Sequence, residues 1–206
     1  MVPKSRLSIV FAASAVVVTL ALLVAPARSA PKLKIGDAAP TWSGLKGVDD
    51  KQHGLGDYEK AKLVVVVFTC NMCPVAVAYE DRLVALQKDY EAKGVRVVAI
   101  NSNSPKVQAG DSFEKMKERA EEKHFNFPYL FDETQNVARQ YGATCTPHVF
   151  VIDQGKVAYM GAIDDEMKAD KVKSPYLRDA LDALLKGQKP PKEVTRQFGC
   201  SIKWDK

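Results

Sequence analysis

The chain has 206 residues, 46% of them hydrophobic and 27% charged, with a formal net charge of +5 and four cysteines. Lys4, Arg6 and Arg28 all fall in the first thirty residues, so the remainder carries only about +2, too little and too mixed in sign to point to nucleic acid. About 176 residues are left for one domain, which buries roughly 70% of its unfolded surface and needs no disulfide to fold, so the cysteines are free to do chemistry.

At the N-terminus, Lys4 and Arg6 precede an apolar stretch over residues 7–25, followed by the small residues of Ala25-Pro26-Ala27 and Ser29-Ala30. This is the pattern of an export signal peptide over residues 1–30, with small residues at either cleavage point. The apolar stretch is also just long enough to span a bilayer as an uncleaved N-terminal membrane anchor. Both readings give a periplasmic or secreted protein, or one anchored to the outer face of the inner membrane. A membrane partner is expected only if the segment stays uncleaved.

Residues 32–58 are rich in Gly, Asp and Pro and predict short strands and turns. Residues 63–68, LVVVVF, are a continuous β-branched run, the mark of a strand covered on both faces. After Pro74, Val75, Val77, Ala78, Leu83, Leu86 and Tyr90 recur at helical spacing up to a stop at Gly94, and residues 95–101 form the next buried strand. Strand, helix and strand make a right-handed parallel βαβ unit. Ser112 is placed to cap a charged, solvated helix ending near His124.

Further along, a short helix is expected over residues 133–141, ended by Gly142. Two strands, 148–153 and 156–160, joined by Gln154-Gly155 read as an antiparallel hairpin. Ser174-Pro175 opens a last helix with proline at its first position, closed by Gly187. Residues 31–187 are expected to form one domain. Residues 188–206 are expected to form a tail docked on it through Phe198, Ile202 and Trp204.

The chemistry sits in FTCNMCP, residues 68–74, between a buried strand and an amphipathic helix. A cysteine at a helix start is stabilised as thiolate by unpaired backbone N–H groups and the helix dipole. A second cysteine three residues away can attack the mixed disulfide formed by the first. A zinc site would need a second closely spaced pair, which Cys145 and Cys200 do not form, so no metal is assigned. A residue before proline avoids the α region and proline favours the first helical position, which points to a helix starting at Pro74 with Cys73 as its cap. The alternative, Cys70 as cap, stays open at this level.

These segments resemble the thioredoxin-like superfamily, and within it the exported redoxins grouped with thiol-specific antioxidants (AhpC/TSA) and TlpA-like oxidoreductases. The likeness covers residues 34 to about 185 and is carried by IGDAAP (35–40), VVVVFTCNMCP (64–74), VRVVAINSN (95–103), FPYLFDE (127–133) and YGATCTPHVFVID (141–153). It implies an α/β thioredoxin-like fold, a central mixed sheet flanked by helices, with CxxC at a helix N-terminus and a cis-proline opposite. Thr146-Pro147 matches that proline, and the backbone of Thr146 would pair with a substrate chain. The implied function is a thiol-disulfide oxidoreductase acting on protein or small-thiol substrates, with Cys70 as nucleophile and Cys73 as resolver. It needs a redox partner protein as thiol donor or acceptor and a disulfide-containing protein substrate. No cofactor is implied, because the electrons travel in the dithiol.

The sequence departs from the thioredoxin pattern at Thr69, at Asn71-Met72 and at Pro74. Cys73-Pro74 is also what peroxiredoxins carry at their peroxide-reducing cysteine, so a thiol peroxidase with peroxidatic Cys73 is an alternative. Against it, Cys70 stands where those enzymes carry Thr or Ser, and Thr146-Pro147 falls where their Arg is sought. A second alternative is a copper-binding chaperone of the same fold using Cys70, Cys73 and His148, although that group spaces its cysteines CxxxC. Cys145 and Cys200 are expected either to form a structural disulfide, closing a loop of about 56 residues worth roughly 4 kcal/mol, or to act as a second redox pair. No acid lies in VVVV, and Glu80 and Asp81 fall one to two turns down the helix. No general base is therefore named, and proton transfer is left to water.

Overall fold

The run LVVVVF forms an interior strand of a seven-stranded sheet in the computed structural model, which describes residues 33–205. The export segment expected over residues 1–30 lies outside the described residues. In chain order the elements are β1 (Leu45–Gly47), β2 (Gln52–His53), β3 (Leu63–Phe68), α1 (Pro74–Tyr90), β4 (Val95–Asn101), α2 (Phe113–Glu122), β5 (Tyr129–Phe131), α3 (Asn136–Tyr141), β6 (Cys145–Thr146), β7 (His148–Asp153), β8 (Lys156–Gly161), α4 (Tyr176–Leu185) and β9 (Cys200–Ser201). The large sheet runs β2-β1-β5-β4-β3-β7-β8, and β6 pairs separately with β9. β3, β4 and β5 are parallel neighbours, while β7 runs antiparallel beside β3 and β8 antiparallel beside β7. The sheet is therefore mixed, and the expected βαβ unit and hairpin are both present.

β3 is buried along its whole length because alternate side chains enter two different cores. Leu63, Val65 and Val67 pack with Tyr79, Leu83, Leu86 and Tyr90 of α1 and with Leu177 and Leu181 of α4. Val64, Val66 and Phe68 pack with Val137, Ala138 and Tyr141 of α3 and with Phe150 and Ile202. Two covered faces are what a continuous apolar run demands, since a half-exposed strand would alternate.

α1 is turned slightly from its expected face. Leu83, Leu86 and Tyr90 are buried, but so are Ala76, Tyr79, Glu80 and Gln87, while Ala78 is exposed. The two polar residues are tolerated because they are satisfied. Arg119 Nε and Nη2 donate to the Glu80 carboxylate at 2.8 and 2.7 Å, and Val97 N–H donates to Gln87 Oε1 at 2.7 Å. Glu80 is thus occupied in an ion pair and is no part of a proton path to the cysteines.

α3 starts three residues later than expected, at Asn136 rather than 133. Gln135 has a left-handed backbone (φ 61°), and the Asp132 carboxylate accepts from Val137 N–H and Ala138 N–H in place of a cap at the preceding residue. Pro175 sits at the cap of α4, not at its first helical position. The hairpin turn has positive φ at both Gln154 (48°) and Gly155 (76°), the geometry that matches the twist of the flanking strands.

Past α4, the chain lies back across the sheet. Thr195 Oγ1 accepts from Ala162 N–H at 2.9 Å, Ile202 is buried against α3, and Arg139 lies over the Trp204 ring at 4.3 Å. Gln135 Nε2 and Ser104 N–H both donate to the Lys203 carbonyl at 2.8 Å. This route brings β9 to the loop that carries Cys70 and Cys73.

Candidate active site

β3 delivers the chain to a five-residue loop, residues 69–73, whose far end is Cys73, the N-cap of α1. Pro74 at the first helical position holds Cys73 extended (φ −78°, ψ 118°), and its sulfur accepts from Ala76 N–H at 3.5 Å. Cys73, not Cys70, is therefore the cap. Both sulfurs are nearly covered, each residue being 3% exposed. Thr146 faces both: its hydroxyl lies 3.2 Å from Cys70 Sγ and its carbonyl 3.1 Å from Cys73 Sγ. The Thr146-Pro147 peptide is cis.

The electrostatics separate the two thiols. Cys73 is lowered to about 4, first by the Cys70 thiol donating to its sulfur, then, against the cost of burial, by the Cys200 thiol, Ala76 N–H and Cys200 N–H. Cys70 is raised by the same hydrogen bond, by burial and by the charge of Asp111. The Thr146 carbonyl opposes the Cys73 thiolate, because it can only accept, but it is one group against several donors. The direction of both shifts favours the charge on Cys73 and the proton on Cys70.

Asp111 was not singled out by the sequence. It ends a short turn (Ala109–Asp111), is fully buried, and supports the loop from behind. Its Oδ1 accepts from Asn71 N–H at 2.7 Å and Met72 N–H at 3.2 Å, and its Oδ2 accepts from Asn103 Nδ2 at 2.7 Å. Asn71 also donates to the Gly110 carbonyl at 2.9 Å and accepts from the Tyr129 hydroxyl at 2.9 Å. Burial raises the Asp111 carboxyl, its N–H partners lower it, and the Cys73 charge raises it further. Asp111→Ala is expected to cost the reduced protein about 2–4 kcal/mol in urea unfolding, because it strands the Asn71 and Met72 N–H groups.

Cys145 and Cys200 do not form the second pair considered from the sequence. They lie on adjacent strands but in offset register: Cys145 faces Ser201, and Thr146 faces Cys200. Neighbouring residues of a strand point to opposite sides, so the two sulfurs are turned apart, and all four cysteines are free thiols. Cys145 is buried, with its thiol raised to about 11 chiefly by desolvation. Cys200 is partly exposed and turns to Cys73: its N–H donates to Cys73 Sγ at 3.4 Å, and its side chain packs against the Cys70–Cys73 cluster.

His148 is not brought to the cysteines as a ligand. It packs on Phe150 with ring centroids 4.5 Å apart, and burial lowers it to about 4. Among the described residues no three His, Cys, Asp or Glu side chains converge as a metal set, so the donor geometry does not support the copper-binding reading. A cavity of about 140 Å³ opens onto the sulfurs, lined by Cys70, Cys73 and Cys200 with Met72, Asp111 and Lys203 among its walls. Lys203 is its one basic lining residue.

The AhpC/TSA family model matches residues 35–160, more than half of the chain. The chain belongs to the AhpC/TSA family. Among its AhpC/TSA-type relatives, it is similar to the thiol-disulfide oxidoreductase ResA of Geobacillus thermodenitrificans, with 31% identity over 60% of this chain and 66% of that one. It is also similar to peroxiredoxin Bcp of Escherichia coli, with 30% identity over 53% of this chain and 65% of Bcp. The chain thus spans just under two thirds of the length of these curated relatives. Of solved structures, an uncharacterised conserved protein from Geobacillus kaustophilus superposes with a TM-score of 0.79 at 41% identity, over 84% of this chain and 93% of that one. The thioredoxin-like redoxin fold expected from the sequence is the fold observed.

Proposed function

We propose that this AhpC/TSA-family chain is a thiol-disulfide oxidoreductase in which Cys70 and Cys73 are the redox couple. The observation that carries this reading is the placement of Cys70 and Cys73, both buried, at the N-terminus of α1 with both sulfurs against Thr146 of the cis peptide. Cys73 attacks a disulfide sulfur of the substrate, and the first leaving thiolate takes up a proton. Cys70 then passes its proton away, attacks Cys73 Sγ and releases the second substrate thiol. One substrate disulfide becomes two thiols and Cys70–Cys73 becomes a disulfide, or the reverse when a partner is oxidised. The backbone of Thr146 and Pro147 forms the wall against which the substrate lies. The substrates are disulfides of proteins or small thiols, and a redox partner protein resets the couple.

The residue order at 1–30 supports an extracytoplasmic site of action, periplasmic, secreted or anchored to the outer face of the inner membrane. Among the described residues no helix is long and apolar enough to cross a membrane. A thiol peroxidase acting through Cys73 is the second reading, favoured by Cys73-Pro74 and by the likeness to Bcp. It is weakened by Cys70 in place of a hydroxyl and, among the described residues, by the lack of an arginine on the cavity wall.

A redox titration with alkylation and peptide mapping tests the proposal. The expected result is a reversible two-electron couple in which the Cys70 and Cys73 peptides are protected together. Fast peroxide consumption with sulfenic acid trapped at Cys73, and no such couple, would replace it with the peroxidase reading.

A further inference from the structure

Three features of the C-terminal tail are unused by the reaction above. β9 occupies the backbone edge of Thr146, pairing antiparallel with Thr146 opposite Cys200. That edge is where the family resemblance expects a substrate strand. Gly199 approaches so closely that any Cβ there would collide with the Thr146 carbonyl, and its φ of 146° is one that L side chains rarely adopt. Cys200 is then set with its N–H on Cys73 Sγ at 3.4 Å and its side chain packed against the Cys70–Cys73 cluster, on the wall of the same cavity. The tail is thus seated as a disulfide substrate would be, with a cysteine at the attacking sulfur.

We infer that Cys200 is a third redox cysteine, and that Cys73 and Cys200 form an intramolecular disulfide as an intermediate of the exchange reaction. The inference rests on the oxidoreductase reading and names a second resolving thiol for it. Substrate RS–SR′ loses R′S⁻ to form Cys73–S–S–R, and R′S⁻ takes the Cys200 proton. The Cys200 thiolate attacks Cys73 Sγ, the S–S bond of the mixed disulfide breaks, and RS⁻ leaves to be protonated by the proton that Cys73 gave up. The protein has lost two electrons and two protons and the substrate has gained them. Cys70 can next attack Cys73, passing its proton to Cys200, to give Cys70–Cys73 and free the tail thiol. β9 is only two residues long and Cys200 is partly exposed, so a strand competing for Thr146 displaces it and its return completes the exchange.

The test uses Cys70→Ser/Cys145→Ser, which keeps only Cys73 and Cys200. Treated at low protein concentration with one equivalent of an aromatic disulfide, it is expected to release both arylthiolates and to show an adduct-free mass two hydrogens below the reduced form. Peptide mapping is expected to link Cys73 to Cys200. With Cys200→Ser added, one arylthiolate is expected to be released and one retained on Cys73. Gly199→Val, which leaves all thiols in place but forces β9 off Thr146, is expected to slow release of the second arylthiolate at least ten-fold. Retention of the aryl group with Cys200 present, or a second release unchanged by Gly199→Val, overturns the inference. In wild type trapped with acid during oxidation, a Cys73–Cys200 peptide is expected, and its absence counts against the intermediate. Failure of the oxidoreductase reading would show separately, as a wild-type protein with no reversible Cys70–Cys73 couple.

Discussion

Cys73→Ser is expected to lower disulfide reduction by the pre-reduced protein on the order of a thousand-fold or more, while Cys70→Ser keeps the first attack. The superfamily pattern assigns the attack to the first cysteine, so the two variants should behave in reverse of that pattern. Local geometry gives the reason. Pro74 starts α1, so the unpaired N–H groups of the helix and its dipole act on Cys73, one turn closer than on Cys70. Cys70 is raised first by donating its proton to Cys73 and then by burial, which disfavours its thiolate. The check is the burst of arylthiolate from an aromatic disulfide, measured on each variant. A burst that survives in Cys73→Ser and vanishes in Cys70→Ser would return the nucleophile to Cys70.

Cys70→Ala is expected to move the ionisation midpoint of Cys73 upward from about 4, toward the free-thiol value of about 8.5, by at least one unit or roughly 1.4 kcal/mol. The largest stabiliser of the thiolate is the Cys70 S–H, and alanine removes it. Serine keeps a donor, so Cys70→Ser is expected to shift the midpoint less. The midpoint should be read from thiolate ultraviolet absorbance rather than from a single alkylation rate. Intrinsic nucleophilicity rises with pKa and offsets the lost thiolate fraction, so one rate at one pH can hide the change. An unmoved midpoint in Cys70→Ala would show that the helix terminus alone holds the thiolate.

The same lowering has a stability consequence. A group whose folded pKa is depressed contributes stability that is complete above its unfolded value and is lost as pH falls through its folded value. The Cys73 thiolate therefore stabilises the reduced protein fully above about pH 8.5 and progressively less down to about pH 4. The oxidised protein has no such group. Stabilising the reduced form makes a dithiol couple more oxidising, so acidification should lower the unfolding stability of the reduced form relative to the oxidised form, read from urea unfolding of each at several pH values.

Much of the frame was legible in the chain itself. LVVVVF, the helix to Gly94, VRVVAIN and the Gln154-Gly155 hairpin are read from periodicity and turn dihedrals, which are local properties. Pro74 acts the same way: it restricts its own φ and the residue before it, so a helix start with Cys73 as cap follows from two adjacent residues. The misplaced edges have an equally local cause, since the left-handed backbone at Gln135 and the Asp132 cap shorten a helix that composition alone extends.

What the sequence determined by itself is the pair Cys70 and Cys73 between a buried strand and a helix, because CxxC spacing, a β-branched run and Pro74 all act within a few residues. What only the tertiary structure decided is who meets that pair. Asp111 reaches the loop from about forty positions away, Thr146 from over seventy, and Cys200 from 127. No periodicity encodes such approaches. They follow from strand order, from the return of the tail across the sheet, and from a one-residue register that turns Cys200 toward Cys73 and Cys145 away from it.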